Sequence, residues 1–141
     1  MYEHGLILPV LTLVAWSLVI WLWMITARYL VMTRERIHPQ KAQRTRTFET
    51  PGRSMWIADN YNHLMEQPTI FYAAALAAQL GGQADAINLG LAWTYVVVRI
   101  VHSLIQTGSN IVMYRFYAFV LSTLALAALV GRTIWGLLAA A

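Results

Sequence analysis

Several polar and ionisable residues stand at helical spacing inside segments that are otherwise apolar. The second apolar segment carries four of them at positions i, i+3, i+4 and i+7, namely Asp59, Asn62, His63 and Glu66. This spacing places the four side chains on one face of an α-helix. Carboxylate, carboxamide and imidazole groups on one face can pair with a cation on a neighbouring helix or bind a polar ligand.

A second polar stripe lies in the third apolar segment and consists of Arg99, His102 and Gln106. If the two segments are consecutive antiparallel helices, Glu66 and Arg99 lie at matching depth, roughly 10–13 Å below one membrane surface. An ionised side chain that faces lipid costs about 3 kcal/mol or more. Because pairing avoids most of that cost, we predict an ion pair between Glu66 and Arg99.

The chemistry that these side chains indicate is the binding of an anion. Arg28 and Arg115 are expected near the level of the ion pair, and together with the carboxamides and imidazoles they exceed what a link between two helices needs. Such an excess of donors indicates an anionic ligand that accepts several hydrogen bonds. A purely structural ion pair remains an alternative. A metal site at His63 and His102 is disfavoured by their spacing, and Asp59 is interpreted as a helix-start residue.

The composition of the 141-residue chain is that of a membrane protein. Apolar residues make up 59% of it and charged residues only 11%, against about 25% charged in soluble domains. Seven of the ten basic residues lie between Arg28 and Arg53, which indicates a membrane-surface loop and not a nucleic-acid interface. The absence of cysteine excludes disulfide bonds and a cysteine nucleophile, so any reactive sulfur must come from a ligand.

Four apolar segments predict an all-α, integral membrane four-helix bundle in a single domain. The predicted spans cover residues 6–32, 57–80, 85–107 and 111–138, with a basic loop at 33–56 and two short turns between them. Six Lys and Arg residues fall within 33–53 and none within the turn at 81–85. The positive-inside rule therefore places the loop in the cytoplasm and both termini on the non-cytoplasmic side.

The polar stripes resemble those of the MAPEG family, the membrane-associated proteins in eicosanoid and glutathione metabolism, and of its bacterial members in particular. The resemblance covers nearly the whole chain, with four spans, a long basic loop after the first and short turns afterwards. Its most specific part is the segment DNYNHLMEQP at 59–68, together with Arg99, His102 and Arg115 at the family's spacing.

This resemblance implies a homotrimer that binds glutathione between neighbouring subunits, in a cavity open to the cytoplasm. It implies that Glu66 binds the glutathione amino group and that Arg99 and His102 form part of the wall. Arg115 would stabilise the thiolate, which is the nucleophile. The further binding candidates are Asn62, His63, Gln106 and Arg28. Membrane lipids would surround the assembly, and a lipophilic second substrate would enter from the bilayer.

The predicted function is that of a glutathione-dependent transferase or peroxidase acting on lipophilic electrophiles or lipid hydroperoxides. Three positions depart from the family's pattern: Gln106 and Phe119 stand where catalytic members commonly have tyrosine, and His63 stands where the family has asparagine. A non-catalytic lipid-binding or scaffold protein of the same fold is therefore the alternative. A transporter or channel subunit ranks last, because the glycine-broken helix pairs typical of transporter sites are missing.

Overall fold

The computed structural model describes residues 5–36, 38 and 52–140, and these residues form four α-helices. The helices are α1 (Ile7–Arg34), α2 (Arg53–Leu80), α3 (Ala86–Gly108) and α4 (Val112–Ala140). No β-strand occurs in the described residues, so the predicted all-α four-helix bundle is confirmed. Because α2 begins at Arg53, inside the predicted loop at 33–56, the loop is shorter than predicted. Residues 37 and 39–51 of that loop lie outside the described residues.

Three of the helices, α1, α3 and α4, are long and apolar enough to cross a membrane. α2 has 28 residues, as many as α1, but its first half carries polar and charged side chains. A helix of this length extends about 42 Å, more than the hydrocarbon thickness of about 30 Å. α2 packs against all three other helices, and the bundle buries Asn60 of its polar side chains whereas Asp59, Asn62 and Glu66 stay exposed.

Short turns with defined backbone geometry join the last three helices. In the first turn Gly82 adopts a φ of 70°, which glycine reaches without the steric cost of a side chain. Asp85 then caps α3, because its carboxylate accepts a hydrogen bond from the Asn88 backbone N–H at 2.7 Å. In the second turn the N–H of Asn110 donates to the Ile105 carbonyl at 2.7 Å. Consecutive helices are therefore antiparallel.

A polar link holds the start of α3 against the end of α4. Arg132 donates from Nη2 to Asp85 Oδ2 at 2.8 Å and from Nε to Asn88 Oδ1 at 3.0 Å. The backbone hydrogen bond from Asn88, followed by the charge and hydrogen bond of Arg132, holds the pKa of the Asp85 carboxyl below its ordinary value. The ion pair is therefore fully charged at neutral pH.

The buried face of α2 repeats every seven residues. Ile57, Leu64, Phe71 and Ala78 are all buried, as expected of one helical face directed into a bundle. Phe71 stacks on Tyr95 of α3 with 4.4 Å between the ring centroids. This face sets the rotation of α2, and hence the direction of each polar side chain on it.

Large apolar side chains are exposed on the outer surfaces of α1 and α4, for example Leu18, Leu22, Leu121 and Leu124. Such a surface is costly in water and is stable against lipid or another apolar surface. Together with the three span-length helices, this exterior identifies a membrane protein.

Candidate functional site

Arg99 of α3 is buried where α2, α3 and α4 meet, with 1% of its surface exposed. Its Nε donates to the Tyr95 hydroxyl at 3.2 Å, and its Nη2 donates to the side-chain carbonyl oxygen of Gln67. The guanidinium carbon lies 5.5 Å from the ring centroid of Tyr95 and 5.1 Å from that of Phe119, within reach of cation–π attraction. All of these partners are uncharged, so they hold the cation without neutralising it.

Glu66 points away from Arg99, which corrects the predicted ion pair. Its side chain is 69% exposed, and its Oε2 lies 3.4 Å from Nδ1 of His63 on the same helix. Among the described residues no carboxylate lies within ion-pair distance of Arg99. The reason is the rotation of α2, because successive residues are about 100° apart around a helix. The neighbouring residue Gln67 faces α3, and Glu66 therefore does not.

Gln67 connects three helices through the two ends of its amide. Its Oε1 accepts the hydrogen bond from Arg99, and its Nε2 donates to Thr123 Oγ1 on α4 at 2.8 Å. Gln67, Thr123 and Tyr95 are not among the site residues predicted from the sequence. For Tyr95 a signal was available, since it precedes Arg99 by four residues and shares its helical face.

A pocket of about 220 Å³ lies between α2, α3 and α4, next to these residues. Its lining consists of two imidazoles, one guanidinium and three apolar side chains: His63, His102, Arg115, Val112, Phe116 and Phe119. The His63 and His102 rings meet edge to face, with centroids 6.1 Å apart and planes at 74°. The structure thus brings together three predicted site residues, His63, His102 and Arg115, from three different helices.

Arg115, in the first turn of α4, lines this pocket and has one buried donor without a partner in the described part of the chain. Its Nη1 donates to Asn110 Oδ1 at 2.6 Å, whereas its buried Nε has no hydrogen-bond partner in the described part of the chain. Leaving a buried donor of a cation unpaired is costly.

The remaining predicted site residues lie outside the pocket lining. Arg28 and Asn62 are exposed on α1 and α2. Gln106 is buried in α3, and its Oε1 has no hydrogen-bond partner within the described ranges. On α2 it is Asn60, and not Asn62, that faces the bundle, since Asn60 is fully buried and its Nδ2 donates to Ser103 Oγ at 2.6 Å.

The start of α2 also differs from the prediction. The helix begins at Arg53, so exposed Asp59 lies well over one turn inside it, and its interpretation as a helix-start residue is wrong. Arg53, expected only as a loop charge, donates from Nε to the Thr107 carbonyl at 3.0 Å and lies 5.6 Å from the Trp23 ring centroid. A cation at the carbonyl end of α3 is favourable to the helix dipole. Arg53 therefore joins α1, α2 and α3 at the end of the bundle that holds the pocket.

The pocket combines positive charge with apolar walls. Arg115 contributes one cation, and Arg99 contributes a second from behind the Phe119 ring. Val112 and Phe116 provide apolar surface on the same cavity. Such a site suits a ligand that carries anionic groups close to a polarisable or apolar reacting atom. A nearby guanidinium would also favour the thiolate form of a bound thiol.

These features define a polytopic membrane protein built as a four-helix bundle, with a cationic pocket where three of the helices meet. The chain belongs to the MAPEG family, whose sequence model matches residues 6–135, nearly the whole chain. No curated protein and no solved structure matches the chain significantly.

Proposed function

We propose that the protein is a membrane-bound glutathione-dependent enzyme, which joins the glutathione thiol to lipophilic electrophiles or uses it to reduce lipid hydroperoxides. The observation that carries the proposal is the pair of guanidinium groups at the pocket, Arg99 and Arg115, whose described hydrogen-bond partners are all uncharged. Cations whose hydrogen-bond partners are all uncharged favour an anionic guest. Membership of the MAPEG family supports a glutathione-related or lipid-metabolism role.

Glutathione suits the charges of this pocket, because it carries two carboxylates, one ammonium group and a thiol. Arg115, which lines the pocket, would hold the thiolate beside its guanidinium, which lowers the pKa of the thiol and stabilises the nucleophile. His102 would donate to a polar group of the ligand, and Arg99 would add positive charge from behind the pocket wall. Glu66, exposed beside His63, is available to the ammonium group.

The candidates outside the pocket fit this proposal only in an assembly. Arg28 and Asn62 lie on the outer surface, where they could reach a ligand bound to a neighbouring subunit. We therefore propose a homotrimer whose subunits cover these surfaces. Gln106, which is buried in α3 and does not line the pocket, would support the site from within the bundle. The apolar exterior supports assembly within membrane lipid, and the lipophilic substrate would enter past Val112 and Phe116.

The charge of the loop supports an orientation with the pocket towards the cytoplasm. Six Lys and Arg residues occur in the sequence from 33 to 53, and the last of them, Arg53, contacts the end of α3 next to the pocket. By the positive-inside rule that end faces the cytoplasm and both termini face the opposite side. A likeness to bacterial members in particular stays a prediction.

Conjugation of glutathione to a chromogenic electrophile tests the proposed function. We expect the detergent-solubilised protein to catalyse it and Arg115→Ala to lower kcat/KM by roughly a hundredfold, as loss of one charge-stabilising donor does. Arg132→Gln is the matched control, because Arg132 lies on the same helix about 25 Å away and pairs with Asp85. A parent protein that neither conjugates glutathione nor gains thermal stability from it would overturn the proposal.

A non-catalytic lipid-binding or scaffold protein is the second candidate, and a separate groove favours it. The groove measures about 270 Å³, lies between α1 and α2 and is lined by Val14, Ser17, Leu18, Trp21, Tyr61, Met65 and Tyr72. Most of these side chains are apolar, as an acyl chain requires. A melting temperature that rises with fatty acid or phospholipid and ignores glutathione would favour this candidate.

A further inference from the structure

His63 and Glu66 form a carboxylate–imidazole pair at the edge of the pocket. Oε2 of Glu66 lies 3.4 Å from Nδ1 of His63, one helical turn away on α2. The His63 side chain lines the pocket and is 39% exposed, whereas the Glu66 side chain is 69% exposed. The pair therefore extends from the pocket wall to the outer surface of the bundle.

The charged and titratable groups around the His63 ring come from each helix that forms the pocket. Glu66 belongs to its own helix, His102 of α3 meets the ring edge to face, and Arg115 of α4 lines the same cavity. The spanning part of α1 carries no charged residue before Arg28. Two carboxylates of α2 stand about one turn from His63, Asp59 before it and Glu66 after it. Of the two, Glu66 is the one in described ion-pair contact with the ring, at Nδ1.

A carboxylate at one ring nitrogen gives an imidazole the properties of a base. When the carboxylate accepts a hydrogen bond from that nitrogen, it orients the ring and favours the tautomer with the proton on Nδ1. Because Glu66 contacts Nδ1 of His63, Nε2 is the nitrogen that can accept a proton. His102 lacks this arrangement, since it is buried and no described carboxylate lies within ion-pair distance of it.

On the basis of the glutathione-dependent function above, we propose that His63, positioned by Glu66, is the base that removes the thiol proton of glutathione. The S–H bond breaks, the proton moves to Nε2 of His63, and the electron pair remains on sulfur as a thiolate beside Arg115. When the thiolate adds to an activated double bond, the imidazolium returns its proton to the resulting carbanion. When the thiolate displaces a leaving group, that group departs with its bonding electrons and the proton passes to water at the exposed Glu66.

The rate of thiolate formation, followed by stopped-flow ultraviolet absorbance on mixing with glutathione, separates a base from a binding residue. We expect His63→Gln to retain glutathione binding but to form the thiolate roughly a hundredfold more slowly. Added imidazole should restore part of that rate. The limb of the pH–rate profile that depends on a neutral imidazole should also disappear in this variant.

Glu66→Gln provides a second variant at an exposed position, where folding is least affected. We expect a smaller loss of rate at saturating glutathione than in His63→Gln, because the imidazole remains while the carboxylate that orients it is removed. The affinity for glutathione is measured separately, since Glu66 is also available to the ammonium group. Asp59→Asn is the matched control, since it removes the same charge from another exposed carboxylate of α2. This control should form the thiolate at the parent rate.

The outcomes distinguish this proposal from the function on which it rests. If the parent neither binds glutathione nor forms the thiolate, the proposed function fails and the base fails with it. If the parent forms the thiolate and both His63→Gln and Glu66→Gln do so equally fast, only the base is wrong and Arg115 suffices. Loss of binding with a parent-like rate at saturating glutathione would make His63 a binding residue, which also overturns the proposal.

Discussion

The guanidinium carbon of Arg99 lies 5.1 Å from the centroid of the Phe119 ring. Phe119 stands where the family resemblance implies a tyrosine, so an aromatic face meets the cation where a hydroxyl was expected. The same ring lines the pocket and therefore separates the buried charge from the ligand space. This position can support Arg99 by cation–π attraction but cannot donate a hydrogen bond to a ligand.

Replacing this ring should destabilise the protein. We expect Phe119→Leu to lower the free energy of unfolding by about 1–3 kcal/mol, because both ring packing and the cation–π contact are lost. Phe116→Leu is the control, since Phe116 lines the same pocket but meets the ring of Tyr117. Denaturant unfolding in detergent measures both variants. Equal losses in the two would show that the contact with Arg99 contributes nothing measurable.

Gln67 offers a test of whether the positive charge at the pocket matters for binding. Gln67→Leu removes two hydrogen bonds, one of them to Arg99, and should cost about 2–4 kcal/mol of stability. Gln67→Glu keeps an acceptor for Arg99 and neutralises it. We therefore expect Gln67→Glu to fold well and to bind glutathione more weakly than the parent.

Calorimetric titration with glutathione checks this expectation, with the melting temperature as the measure of folding. A Gln67→Glu variant that binds glutathione as tightly as the parent would contradict the role given to the unneutralised Arg99. Weak binding accompanied by a low melting temperature would instead point to damage of the fold. Binding affinity and melting temperature together therefore distinguish an effect of the Arg99 charge on binding from damage to the fold.

Two asparagines on α2 form a matched pair for stability measurements. Asn60 is buried and donates to Ser103 at 2.6 Å, whereas Asn62 is exposed. We expect Asn60→Ala to cost about 1 kcal/mol through the lost interhelical hydrogen bond. Asn62→Ala should stay within about 0.5 kcal/mol of the parent. If Asn62→Ala proved the more damaging variant in monomeric detergent-solubilised protein, the rotation of α2 would be wrong.

The helices and the polar stripe of α3 could be predicted from sequence, because each differs clearly in polarity from the residues around it. Apolar runs of span length stand out from the basic loop, and Arg99, His102 and Gln106 are ionisable or polar residues within an apolar helix. All three are buried, as the cost of exposing them to lipid requires. The spacing of these residues was therefore enough to find one wall of the site.

The rotation of α2 could not be predicted from its polar residues, since these occur on several faces of the helix. Glu66 and Gln67 are neighbours of similar length, and only packing decides which of them meets Arg99. The apolar residues carried the missing signal: Ile57, Leu64 and Phe71 repeat every seven positions and are buried. Asn60 falls three residues after Ile57 on that same face, which excludes Asn62 from the interior.

The ion pair between Asp85 and Arg132 predicts how stability depends on pH at the end of the bundle opposite the pocket. The Asn88 backbone hydrogen bond and the Arg132 guanidinium lower the pKa of Asp85 in the folded protein. A carboxyl whose pKa is lowered by folding stabilises the protein above its unfolded-state pKa, which is about 3.9. That contribution is lost as the pH falls through the lower, folded-state pKa.

Asp85→Asn removes the charge and leaves a side chain that can still cap α3. We expect its melting temperature to lie below that of the parent at neutral pH, with the difference shrinking once the pH falls below about 4. Asp59→Asn, which removes an exposed carboxylate without a described ion-pair partner, should show no such change. Thermal unfolding of the three proteins across this pH range measures the effect. A difference between Asp85→Asn and the parent that is constant from neutral to acidic pH would mean that the Asp85 charge does not stabilise the α3–α4 link.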